Sequence, residues 1–316
     1  MPHARVPLHG PLALSLVRYG ALVSTAILYC CDPLNPRAVD GHFSGESRAA
    51  RTAGATTALI DHDALLRGDE HAAVRRVPRD LGAVWYRGWM IPTLRYQRLA
   101  EALDQRGARL VVGARQYQAA HELPGWYPAF AEVTPRSVWL PSPPGVAPDI
   151  DALAALVAPL GGGPAVVKDF VKSRKHEWSE ACFVADLADA AELHRVVARF
   201  VQLQEEFLAG GVVVRGFERF DRDLGEARVW WLDGEPVMIT SHPDTPDRQP
   251  SPVLDHVAPL VRGLKCRFIT TDMAMRTDGT WRVVEVGDGQ VSDLPRTVDP
   301  SALATVLTRC GRRGEV

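Results

Sequence analysis

Short apolar runs alternate with helical periods through the first half of the chain. Residues 25–31, 57–61, 83–87 and 109–112 are apolar runs rich in β-branched or aromatic residues, and residues 39–53 and 93–106 repeat apolar positions at helical spacing, closed by Gly54 and Gly107. Such alternation predicts an α/β unit with a parallel sheet and crossover helices. Residues 140–148 (LPSPPGVAP) are proline-rich and read as a linker. Beyond it the pattern changes. Strands are predicted at 165–170, 181–184, 211–217, 226–232, 235–242, 268–275 and 280–286, with an amphipathic helix over 188–204 and a terminal helix over 300–310. Asp233-Gly234 and Asp278-Gly279 are hairpin turn signals, so this half reads as α+β with antiparallel sheets. Residues 1–20 read as a loose, flexible extension.

Composition adds an asymmetry. Of 36 Lys and Arg residues only four are Lys, and three of those are Lys168, Lys172 and Lys175. Lys is a compact ammonium and Arg a planar fork, so confining Lys to one window points to chemistry that needs the ammonium, phosphate coordination above all. With 316 residues, 46% hydrophobic and 23% charged, the chain is long enough for two or three subdomains. A net charge of −2 gives no polybasic signature for nucleic acid or a membrane surface. The five cysteines are odd in number and lack a Cys-x-x-Cys pair, which argues against a disulfide framework or zinc site and for a reducing cytoplasm.

The strongest acidic constellation is Asp272 and Glu285. Each lies six residues from the Asp278-Gly279 turn, so the hairpin makes them cross-strand neighbours on one face. Two carboxylates in otherwise apolar strands repel each other and lose solvation, and Mg²⁺ relieves both problems.

A lysine cluster after a strand, a long strand ending Val214-Arg215-Gly216-Phe217-Glu218, and an Asp…Glu hairpin together resemble the ATP-grasp superfamily over about residues 22–310. The resemblance implies a Rossmann-like pre-ATP-grasp domain (21–145), a lysine-loop subdomain (146–210) and a C-terminal metal-binding subdomain (211–316). It implies that Lys168, Lys172 and Lys175 meet the phosphates of ATP, and that the stretch with Arg215, Phe217 and Glu218 is the hinge beside adenine. Glu226-Ala227-Arg228 would be the strand whose Arg228 faces the γ-phosphate, and Asp272 and Glu285 would be Mg²⁺ ligands. The sequence departs from the family pattern in three places. Gly287 stands where a third ligand, Asn, is usual, with Asp288 next as a substitute. Residues 169–178 replace a glycine-rich loop. Arg215 occupies a hinge position usually held by an acid.

The implied activity is ligation of a carboxylate to an amine through an acylphosphate, with Lys168, Lys172 and Arg228 catalytic, acting on a small molecule or peptide. A homodimer is allowed; nucleic acid and membrane partners are not expected. Asp32 and Arg87 end strands of the first unit and His242 ends a later strand, so these three are candidate substrate contacts. Two alternatives stand beside this reading: a covalent nucleotidyltransferase using Lys168, and an ATP-binding module without turnover.

Overall fold

The computed structural model describes residues 25–310, and the extension expected over residues 1–20 lies outside the described residues. Three four-stranded sheets organise the chain. The first contains β1 (Ala26–Cys30), β2 (Thr56–Ile60), β3 (Gly82–Arg87) and β4 (Ala108–Leu110). All its pairings are parallel, in the order β2-β1-β3-β4. Helices at Ser44–Thr52 and Thr93–Asp104 supply crossovers where the sequence predicts them.

The second sheet has the order β5-β8-β6-β7 and is antiparallel: β5 (Ser137–Pro141), β6 (Ala165–Lys168), β7 (Phe183–Val184) and β8 (Gly211–Gly216). The proline-rich linker expected from residue 140 therefore begins inside a strand. The Val-Trp-Leu run ahead of the prolines pairs with β8, and Pro141 sits at the strand's end, where its missing N–H is tolerated. β8 hydrogen-bonds to the lysine strand β6, across the boundary that the sequence suggests at residue 211. The helix Ala190–Gln204 covers this sheet with Leu193, Val196, Val197, Phe200, Val201 and Gln204 buried. Burial of its five large apolar side chains contributes on the order of 10 kcal/mol.

The third sheet, β10-β9-β11-β12, is also antiparallel: β9 (Glu226–Leu232), β10 (Glu235–Ser241), β11 (Phe268–Met275) and β12 (Trp281–Asp288). Its rear face shares one core with the parallel sheet, in which Trp85, Trp230, Trp231 and Phe268 are buried. Gln290 joins the two sheets. Its side-chain oxygen accepts from Tyr86 N, and its backbone oxygen accepts from Gly88 N and Arg87 Nη1. No helix among the described residues is long and apolar enough to cross a membrane.

Candidate active site

Register places a line of functional side chains across the third sheet. Thr240 pairs with Arg228, Arg228 with Asp272, and Asp272 with Glu285. Directly paired residues share a face, so Arg228, Asp272 and Glu285 point the same way. A bulge makes this possible. The Arg276–Thr280 turn leaves a three-residue loop, which alone would set Asp272 opposite Val284. The ladder skips Val284, and Glu285 takes the place opposite Asp272. The freed Val284 carbonyl accepts from Arg215 Nη1 at 2.6 Å.

The facing wall comes from the second sheet. Lys168 pairs with Val213, and Val166 pairs with both Arg215 and Phe183, so Lys168, Arg215 and Phe183 share a face. Lys168 Nζ lies 4.0 Å from Glu285 Oε2, and burial pulls its pKa down against the attraction of Glu285. Arg215 is 5% exposed, and burial lowers its pKa to about 10. Its Nε donates to Ser137 Oγ, while Nη2 is buried with no partner among the described residues. An orphaned buried guanidinium nitrogen is costly and suits an anionic ligand. Trp178 stacks on Phe183 with ring centroids 5.2 Å apart, and Phe217 meets both rings edge-on.

Asp169, which sequence reasoning missed, sets the shape of the lysine loop. It is buried, and its Oδ1 accepts from Val171 N and Lys172 N. Its Oδ2 accepts from Gln204 Nε2 and Ala209 N. One carboxylate thus fixes the turn that glycines would otherwise make. Lys172 is exposed. Lys175 reaches across to Asp244, and this bond raises its pKa although burial acts against it.

Electrostatics around Asp272 differ from the expectation of two mutually repelling carboxylates. Arg228 Nε and Nη2 grip both Asp272 oxygens at 2.7 Å, and Arg228 Nη1 donates to Asp293 O at 2.9 Å. Burial alone would raise the Asp272 pKa, but Arg228 and then His242 hold it well below the carboxylate range. His242 Nε2 is 3.5 Å from Asp272 Oδ2, and that contact overrides burial to raise its own pKa. Glu226 is raised to about 7 by burial and by Asp272. Glu226, His242 and Asp272 offer ligand atoms all within 4.8 Å of one another.

Other sequence candidates sit elsewhere. Asp288 pairs with Ile269, one step beyond Gly287 and Thr270, so its side chain projects from the opposite face to Asp272 and Glu285. There its Oδ1 accepts from Gln290 N and Nε2, and burial lifts its pKa to about 7. It is not a third ligand beside that pair. Arg87 is fully buried and bidentate to Glu46 at 2.7 and 2.9 Å, so it is a structural ion pair and not a substrate anchor. Asp32 caps its own turn, accepting from Leu34 N and Asn35 N. Glu218 ion-pairs with Arg282, tying the hinge to β12.

Comparison with known proteins agrees with this geometry. Residues 159–307 match the family model of an ATP-grasp domain, family 3 of its clade. No protein of curated function matches. Among solved structures, a RimK domain protein ATP-grasp from Sphaerobacter thermophilus superimposes with a TM-score of 0.57 at 16% identity, covering 90% of this chain and 100% of that one. The ATP-grasp ligase PsnB, complexed with minimal precursor, Mg and ADP, gives 0.52 at 15% identity over 90% and 97%. D-alanine–D-alanine ligase from Bacillus anthracis, complexed with ATP, gives 0.53 at 14% identity over 93% and 99%. At these identities the likeness is one of fold.

Proposed function

The chain belongs to the ATP-grasp superfamily, and we propose that it is an ATP-dependent ligase joining the carboxylate of a small molecule or peptide to an amine. The observation that carries this reading is the opposition of Lys168 to Glu285, 4.0 Å apart on facing sheets, with the free Nη2 of Arg215 on the lysine's face. Cationic groups on one wall and a half-exposed carboxylate on the other suit a metal-bound polyphosphate between them.

Asp272 and Glu285 are the residues that would hold Mg²⁺. Each Asp272 oxygen has a lone pair left after bonding Arg228. The ion supplies charge neutralisation on the phosphates. Lys168, Arg215 and Lys172 would bind those phosphates, and the Trp178, Phe183 and Phe217 rings would flank adenine. Arg228, fixed by Asp272 and Asp293 O, would stabilise charge on the transferring phosphoryl group.

In the reaction, a substrate carboxylate oxygen bonds to the γ-phosphorus, and the bond to the β-phosphate oxygen breaks to release ADP. The amine then bonds to the acyl carbon, phosphate leaves, and the amine proton passes to the departing phosphate. The assay is ADP release over a panel of acids and amines. Turnover should require one of each, and Glu285→Ala should lower it by about 10²-fold or more. Near-normal turnover in that variant would remove the metal assignment. Burial lowers the Lys168 pKa, which also favours nucleophilic chemistry. An AMP adduct on Lys168, found by mass spectrometry, would replace ligation with covalent nucleotidyl transfer.

A further inference from the structure

β1 lies between β2 and β3, so the chain leaves β1 toward one side and returns on the other. The loops after β1 and β3 therefore part at a topological switch point, the place where open α/β sheets hold ligands. Those loops bring Asp40, His42 and Trp89 together. The Asp40 carboxylate accepts from His42 N at 2.8 Å and from Trp89 Nε1 at 3.0 Å. The His42 and Trp89 rings lie 4.7 Å apart. His42 Nε2 then meets Asp293 Oδ1 at 2.7 Å. Asp293 is the residue whose backbone oxygen holds Arg228. A continuous chain of contacts thus runs from the proposed phosphoryl-transfer arginine to an indole that is 39% exposed.

The charge of this group is distinctive. The guanidinium of Arg87 is cancelled by Glu46 and that of Arg228 by Asp272. Asp40 and Asp293 remain, two carboxylates with one imidazole between them, and the Asp293 side chain is 49% exposed. Carboxylates beside an exposed indole face repel an anionic substrate and attract a cation, which the ring quadrupole also favours. The acid substrate is therefore disfavoured here, and the amine substrate is favoured. Its reacting amine must be neutral to attack, so the attracted charge belongs to a second group.

We infer that Asp40, His42, Trp89 and Asp293 form a subsite for a cationic group, guanidinium or ammonium, carried by the amine substrate. This rests on the ligase reading above and adds a substrate class to it. The test titrates the full chain, by calorimetry at low ionic strength, with agmatine and with N-carbamoylputrescine, which has the same amine but a neutral urea in place of guanidinium. Succinate serves as an anionic control. Agmatine should bind at least about tenfold more tightly than its urea counterpart, and Asp293→Asn should weaken it by about tenfold. Trp89→Phe, which keeps an aromatic face, should weaken it less than Trp89→Ala. ATP affinity and the thermal midpoint, measured on each variant, separate a subsite effect from misfolding. No agmatine binding, equal affinity for the two amines, preference for succinate, or indifference to both Asp293→Asn and Trp89→Ala would each overturn the inference. Agmatine binding without amine-dependent ADP release in any panel would instead overturn the ligase reading and leave the subsite standing.

Discussion

Asp272 and Glu285 occupy one row of one sheet, yet their surroundings give them different duties. Asp272 is buried against Arg228, whereas the Glu285 side chain is 46% exposed. Removing Asp272 would strand a buried guanidinium, so Asp272→Ala should cost about 3–5 kcal/mol of stability. Glu285→Ala should cost about 1 kcal/mol or less, because a half-exposed, 4.0 Å ion pair contributes little. Urea denaturation of the two variants should therefore differ clearly in midpoint, while both lose ADP release. Equal midpoints would mean that Arg228 is stabilised by something other than Asp272. The lysines divide in the same way. Lys168 is buried beside Glu285, and Lys172 is exposed on a loop shaped by Asp169. Lys172→Arg should leave ATP affinity within about threefold of the parent if only charge matters there. A larger loss in a titration with ATP would show that the ammonium itself is required.

The hairpin β11–β12 illustrates how far the sequence could be read at the level of elements. Counting six residues each way from Asp278-Gly279 pairs Asp272 with Glu285, which is the observed pair. The count succeeds because two irregularities cancel: a three-residue loop shifts the pairing by one, and the bulge at Val284 shifts it back. No periodicity signals that bulge. What reveals it is the use of its carbonyl by Arg215, a partner 69 residues away. The same one-residue sensitivity misleads at Asp288, where adjacency to Gly287 in sequence means the opposite face in a strand. Arg87 misleads differently. It ends a strand where ligands often sit, but Glu46, on a helix 41 residues earlier, claims its fork. Strand existence, turn chemistry and the metal-pair register are local signals and were legible. Partners brought by tertiary packing were not. Deleting Val284 tests the bulge by itself. Val283 would still face Met273 and Glu285 would still face Asp272, so the ladder closes without a bulge and only the carbonyl held by Arg215 is lost. A buried guanidinium nitrogen without its acceptor costs about 1–3 kcal/mol, so ATP affinity should fall by about tenfold or more. Unchanged affinity in an ATP titration would show that the bulge is dispensable for placing Arg215.

At the scale of the whole molecule, the parallel sheet and the third sheet are held by a buried polar joint. Arg87 binds Glu46 and Gln290 O, while Gln290 Nε2 donates to Tyr96 Oη and Asp288 Oδ1. Asp288 is fully buried, its Oδ2 has no hydrogen-bond partner among the described residues, and desolvation raises its pKa from 3.8 to about 7. In the unfolded chain the carboxyl ionises near 3.8, so between these values the folded state holds a proton that the unfolded state has lost. Stability then falls with rising pH. The contribution is fully present below about pH 4, is lost as pH climbs toward about 7, and changes little beyond that. Asp288→Asn keeps an oxygen for the Gln290 donors and never ionises. Its stability profile should lack this decline, and above about pH 7 the variant should exceed the parent by an amount on the order of a few kcal/mol. Denaturation midpoints of parent and variant across that range test the assignment. Parallel profiles would mean that the buried carboxylate stays ionised, with the Arg87 charge compensating it through the joint. A variant that lost its stability at all pH values would instead assign Asp288 a packing role that amide and acid do not share.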